Sequence, residues 1–250
     1  MKRILSFLLP LILVSCSYGT KLSGIVDTRV VDVDDPYTEI AVKGGVNVSM
    51  DPAATAITLK GDTVLIGVTS VTVKDGTLTI DASRKLFKRK GIKNLIKVNN
   101  VVAPESESID IVIPTPATLT EISLAGAVTL SSLEPVKAGR LAIETAGANN
   151  VILALDVKEL NVDAAGADNY WLEGSAMELD LDMAGACNFC SKTQYLTVNK
   201  AKIDLAGACS ATLCSVGTVK GDAAGACSIA ITGAGDAKIK TRGASSVIRF

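Results

Sequence analysis

The chain contains no histidine. That absence removes Ser-His-Asp and Cys-His catalysis, imidazole general bases and imidazole metal ligands together. Aromatic residues are 4% of the 250, which leaves little for stacking on sugars or nucleic-acid bases. Neither sign of charge is in surplus. The 25 Lys and Arg face 26 Asp and Glu, a net charge of −1, and a nucleic-acid partner would call for a strong basic excess. After the first fifteen residues no apolar run reaches the length of a membrane-spanning helix. What the chain does have is 48% apolar residues, enough for a large core, and one phrase repeated down its second half.

The phrase is roughly apolar-polar-apolar-Ala-Gly-Ala-polar-polar-apolar. Its central glycines are Gly126, Gly147, Gly166, Gly185, Gly207, Gly225 and Gly243, at intervals of 21, 19, 19, 22, 18 and 18 residues. A period near 20 predicts a stacked solenoid, in which each repeat buries its apolar face against its neighbours. Before each glycine the chain alternates, as in Leu179-Asp180-Leu181-Asp182-Met183, and period-two alternation belongs to strands. Counted from the glycine, position −4 carries Ile122, Ile143, Val162, Leu181, Ile203, Gly221 and Ile239, and position −2 carries Leu124, Thr145, Ala164, Met183, Leu205, Ala223 and Thr241. These read as inner ladders of a parallel β-helix with rungs about 4.8 Å apart. Glycine suits a sharp turn with positive φ, and the Ala at +1 suits a tight corner. The L-x-x-L-x-L pattern of leucine-rich repeats and a six-residue sub-period are both missing, so the expectation is a right-handed parallel β-helix of about seven C-terminal coils, all-β, with less regular N-terminal strands.

Residues 1–15 read as a signal peptide: Lys2 and Arg3 precede an apolar run, Ile4 to Val14. The run ends Leu13-Val14-Ser15-Cys16, which resembles a bacterial lipobox cut before a cysteine that becomes lipidated. Residues 16–24 then form a tether and 25–250 a single domain. The tether lacks an acidic export-like cluster, which tilts the expected location to the periplasmic side of the outer membrane. In the first half, Val71–Lys74, Asp75-Gly76 and Thr77–Ile80 make a hairpin signal. Ile40–Val42 and Val46–Val48 are short strands around Gly44-Gly45, and Ile109–Ile113 leads through Pro114 and Pro116 into the repeats. Tyr37-Thr38-Glu39-Ile40 before a Gly-Gly turn, Asp75-Gly76-Thr77-Leu78, Ile111-Val112-Ile113-Pro114 and the repeated Ala-Gly-Ala turns together resemble the GIN domain, the autotransporter-adhesin head domain of Bacteroidetes lipoproteins. The resemblance covers about residues 26–250. It implies a β-helix-like fold on an envelope protein and supplies no catalytic residues.

Four constellations invite chemistry. Cys187, Cys209 and Cys227 share position +2, and with Cys190 and Cys214 they read as small buried thiols filling space, or as the source of one disulfide; a zinc site would want a second pair like Cys187-x-x-Cys190. Arg84, Lys85, Lys88, Arg89, Lys90, Lys93 and Lys97 form a basic run without an acid, either a solvated loop or a contact for an anionic surface. Position +3 carries Thr129, Asn150, Asn169, Asn188, Ser210, Ser228 and Ser246, a structural ladder. Position −3 carries Glu144, Asp163, Asp182, Asp204 and Asp222, which should point outward. Their repulsion could be relieved by turn N–H groups and by Lys202, Lys220 and Lys238, or by Ca²⁺. The expected function is a non-catalytic envelope lipoprotein that binds a glycan or envelope protein. The alternatives are a structural or sensory part that self-assembles or meets a membrane partner, and a polysaccharide-acting enzyme, which the short repeat intervals disfavour. The terminal strand should either be covered by N-terminal strands or meet a second copy.

Overall fold

The computed structural model describes residues 22–33, 35–83, 108–189 and 196–250. The leader, Cys16, the basic run from Arg84 to Lys97 and Cys190 lie outside the described residues.

Of the described residues 73% are strand and 3% helix, wound as a β-solenoid of about six turns. That is about one turn fewer than the seven C-terminal coils expected. The strands in order are β1 (Val26–Val31), β2 (Glu39–Gly44), β3 (Val46–Asp51), β4 (Ile57–Asp62), β5 (Ser70–Lys74), β6 (Thr77–Ala82), β7 (Ile109–Pro114), β8 (Glu121–Gly126) and β9 (Thr129–Ser132). They continue with β10 (Val136–Gly147), β11 (Asn150–Gly166), β12 (Asn169–Gly185), β13 (Asn188–Phe189), β14 (Leu196–Gly207), β15 (Ser210–Gly225), β16 (Ser228–Thr232), β17 (Asp236–Gly243) and β18 (Ser246–Arg249). One short helix, α1 (Thr63–Val68), follows β4.

Each glycine separates a strand on one face of the solenoid from a strand on the next. On the first face β2, β8, β10, β11, β12, β14, β15 and β17 stack in parallel, with Gly126, Gly147, Gly166, Gly185, Gly207, Gly225 and Gly243 in register. On the second face β3, β9, β11, β12, β13, β15, β16 and β18 do the same. The long strand β11 belongs to both: Asn150 pairs with Thr129 on β9, and Gly166 pairs with Gly147 on β10.

The first half holds an eighth copy of the motif. Ile40, Val42 and Gly44 sit beneath Ile122, Leu124 and Gly126. The stacking order departs from chain order here, because β8–β9 land on β2–β3 while β6–β7 flank β2–β3 from the other side. The antiparallel strands β4 on β7, β1 on β4 and β5 on β6 close that first end. The β5–β6 hairpin turns through Asp75 (φ 52°) and Gly76 (φ 81°), the two left-handed residues that a two-residue loop needs. So the N-terminal strands cap the first coil and do not fold back over the last one, as one expectation had it. Their register already matches the coil beside Gly126, and burying β2 and β3 between two coils consumes both of their edges.

Position −4 and −2 side chains form the core rows: Ile122, Ile143, Val162, Leu181 and Ile203 are buried, as are Leu124, Ala164, Met183 and Leu205. One continuous apolar cluster runs from Tyr37 to Ile231. Tyr170 and Phe189 are the bulkiest fully buried side chains, with ring centroids 6.0 Å apart. The Tyr170 hydroxyl meets the Thr145 hydroxyl at 2.5 Å. Burial pushes the Tyr170 phenol well above the ordinary tyrosine range.

Candidate functional site

The corners come first, because they decide which side chains face solvent. A Cβ built on Gly166 would lie 2.2 Å from the Gly147 carbonyl oxygen of the coil below. That oxygen accepts the Ala167 N–H at 2.7 Å, and the same contact repeats from Ala127 to Ala244. The turn N–H at +1 is therefore consumed by the preceding coil and is not free for a carboxylate, so that donor drops out of the expected relief of the acidic ladder while the lysine part remains. The Ala at +1 is exposed in all seven copies, so a crowded corner is not the reason for its small size.

Position +2 turns inward and has a task that sequence reasoning missed. Val128, Asn149, Asp168, Cys187, Cys209 and Cys227 are all buried there. Asn149 Oδ1 accepts the Val128 N–H at 3.1 Å, Asp168 Oδ1 accepts the Asn149 N–H at 2.8 Å, and Ser245 Oγ accepts the Cys227 N–H at 3.3 Å. Asn149, Asp168 and Ser245 thus each satisfy an amide of the coil before them, as buried backbone donors require, while the Cys187, Cys209 and Cys227 thiols donate to backbone carbonyls. The Cys187, Cys209, Cys214 and Cys227 thiols are free. Burial raises the Cys209 thiol, which makes that group a poor thiolate. Asp168 also accepts from Asn149 Nδ2 at 2.7 Å, while its Oδ2 is buried without a partner.

On the first outer face Glu144, Asp163, Asp182, Asp204 and Asp222 stand in single file, in register. Lys202 pairs with Asp204 at 2.9 Å and with Asp180 at 3.3 Å, Lys200 with Glu178 at 2.8 Å, and Arg242 with Asp222 at 3.6 Å. Desolvation and then Asp163 and Asp204 push the Asp182 carboxyl up; desolvation, Glu144 and Glu39 do the same to Glu121. Cations thus gather on the C-terminal coils and unrelieved carboxylates on the earlier ones. Among the described residues no three carboxylates or thiols converge as a metal site. On β17, Lys238, Lys240 and Arg242 charge the last described coil, and like charges weigh against two such coils meeting.

The second outer face carries an amide ladder: Asn188 Nδ2 donates to Asn169 Oδ1 at 3.0 Å, and Asn169 Nδ2 to Asn150 Oδ1 at 3.2 Å. Beside it lies a shallow groove of about 370 Å³ around the only tryptophan, Trp171. Trp171 is half-buried and pairs in register with Ile152, which is 44% exposed; Ala154 pairs with Glu173 in the neighbouring row. Leu133, 66% exposed, and Glu134 close the other side. A single tryptophan in a polar-looking strand was the available signal in the sequence, and low aromatic content hid it.

A larger open groove of about 710 Å³ lies at the bend where β10, β11, β12 and β14 pass between faces, with Lys137, Asp156, Lys158 and Met177 on its walls. It contains no aromatic residue and no converging titratable set.

The family model described as "Putative auto-transporter adhesin, head GIN domain" matches residues 36–235. The chain belongs to that family. Solved GIN-like structures agree in fold. A putative adhesin from Bacteroides fragilis superposes with a TM-score of 0.74 at 22% identity, over 93% of this chain and 100% of that one. A putative lipid binding protein from Parabacteroides distasonis gives 0.63 at 16% identity, over 92% and 98%. A putative adhesin from Parabacteroides merdae gives 0.54 at 17%, over 92% and 98%. No curated protein matches the chain.

Proposed function

We propose that this GIN domain is the binding head of a lipid-anchored envelope protein, held on the periplasmic side of the outer membrane, that retains a partner without chemical turnover. The observation that carries the reading is the division of labour between inside and outside. Corners are closed by backbone contacts and the +2 row turns inward onto backbone groups, so the chemistry-bearing groups that remain form long outward rows on open sheet faces. Such rows suit recognition of an extended surface. The adhesin names of the family and of its structural neighbours support the same reading. Display of envelope extract to the immobilised domain, beside a glycan array, tests it. Saturable capture of a defined envelope component, with no consumption of that component, is the expected result, and turnover of a bound polysaccharide would overturn it.

The anchor rests on the lipobox ending at Cys16. Metabolic labelling with a fatty acid is expected to mark the protein and to be lost in Cys16→Ala, which should be released from membranes; label retained in that variant refutes the anchor. Protease treatment of intact cells reports the leaflet, and cleavage there would move the head to the cell surface.

A membrane-facing role has one specific support. Ser23 and Gly24, the last two residues of the tether, are held by Asp62 at 2.8 Å each, on the capped first end of the solenoid. Ser83 and Ser108, which flank the basic segment, lie at that same end, beside Gly44 and Asn47 respectively. The basic run lies between those two serines in the sequence, and attraction of its charges to anionic headgroups would add a second membrane signal. Vesicles containing anionic lipid should retain the unlipidated chain and release it at high salt; equal retention on neutral vesicles counts against this.

A further inference from the structure

Resting on the reading of this domain as a binding head, we infer that the Trp171 groove is a subsite for one neutral or amino-bearing pyranose ring of a glycan. The depression has a simple origin in the register. One outward row, Ser131–Ile152–Trp171, crosses three coils here; beside it Ala154 pairs with Glu173, and Leu133, just past the end of β9, lines the same groove. Ala154 is the one small apolar side chain among larger neighbours, so it forms a floor that Trp171, Ile152 and Leu133 overlook. The row adjacent to these three apolar groups is the amide ladder.

A pyranose is a disc with C–H groups on its flat faces and hydroxyls around its edge. The groove offers the complementary surface. Indole and aliphatic groups receive the C–H face, while Glu173 and Glu134 on the rim accept hydroxyl hydrogens. The two carboxylates also set selectivity. They repel uronic and sialic acids and phosphorylated sugars, and they favour an ammonium on an amino sugar. A basic peptide would satisfy the carboxylates but would leave the apolar floor uncovered by a flat group, so the sugar fits more of what is present.

The sole tryptophan makes the test direct, because its fluorescence reports this groove alone. Titration of the unlipidated full chain with methyl pyranosides, an amino-sugar oligomer, a uronate oligomer and an oligolysine separates the classes. The expected result is a saturable blue shift with the neutral or amino sugars, at about millimolar concentration for a single ring on so shallow a site. Calorimetry of Trp171→Ala should show at least a roughly tenfold loss, the scale of one aromatic contact. Ala154→Leu keeps the tryptophan and fills the floor, and it should weaken binding by a similar factor while its circular dichroism matches the parent. No saturable change with any neutral or amino sugar, a preference for the uronate or for oligolysine, or unaltered binding by folded Ala154→Leu would each overturn the assignment. Absence of any sugar signal from the parent chain, alongside its intact capture of an envelope component, would sink this subsite and leave the binding-head reading standing.

Discussion

Replacing Gly166 by alanine tests the corner geometry on which the whole array depends. Gly166 sits mid-solenoid with φ +138°, a conformation L side chains rarely adopt, which costs about 1–3 kcal/mol when imposed on them. The new methyl group would stand 2.2 Å from the Gly147 carbonyl oxygen, a backbone atom that cannot rotate away. To escape, the rungs must part and the Ala167 N–H to Gly147 hydrogen bond of 2.7 Å must lengthen, a further loss of about 1 kcal/mol. The expected penalty is therefore about 2–4 kcal/mol, read from the urea midpoint at unchanged slope. Gly139 supplies the internal control. It has no positive φ and no atom within 4 Å of a built Cβ, so Gly139→Ala should be neutral or stabilising by up to about 1 kcal/mol. Equal effects of the two substitutions, or a Gly166→Ala penalty under about 1 kcal/mol, would show that the carbonyl contact and the left-handed backbone are not what demands glycine.

The buried +2 row predicts that Asp168→Leu, which strips Asn149 of its acceptor, costs about 1–3 kcal/mol, while Asp168→Asn, which keeps an oxygen in place, costs clearly less; equal urea midpoints for the two would remove the capping role. The raised carboxyl of Asp182 means that its ionised form is penalised in the folded state, so the penalty is present above its raised pKa and absent below the ordinary aspartate value of about 3.9. Asp182→Asn should accordingly be more stable than the parent at pH 7 and match it near pH 3, and a gap that widens on acidification refutes the sign. Burial lifts the Tyr37 phenol to about 12, so the difference in ultraviolet absorbance between the parent and Tyr37→Phe should appear only near that pH, and a difference developing near pH 10 would place the ring in water.

The repeat by itself determined the architecture. Strict alternation around Leu181 and Met183 could be satisfied only by strands with one wet and one dry side, and a glycine every 18 to 22 residues fixed where each coil turns. Asp75-Gly76 was equally local, because two adjacent residues set the hairpin. Tertiary structure decided what depends on which coil lies against which. Nothing within β2 and β3 says that β8–β9 will stack upon them before β6–β7 flank them, because that choice is made by long-range register. The +2 row looked like space-filling thiols until Asn149 and Asp168 were seen capping amides of the preceding coil, a contact between residues 19 apart. The Trp171 groove is likewise a product of stacking. Ala154, Ile152 and Trp171 make a depression only because neighbouring coils bring a small side chain beside large ones, and a linear sequence carries no information about that distance until the register is set.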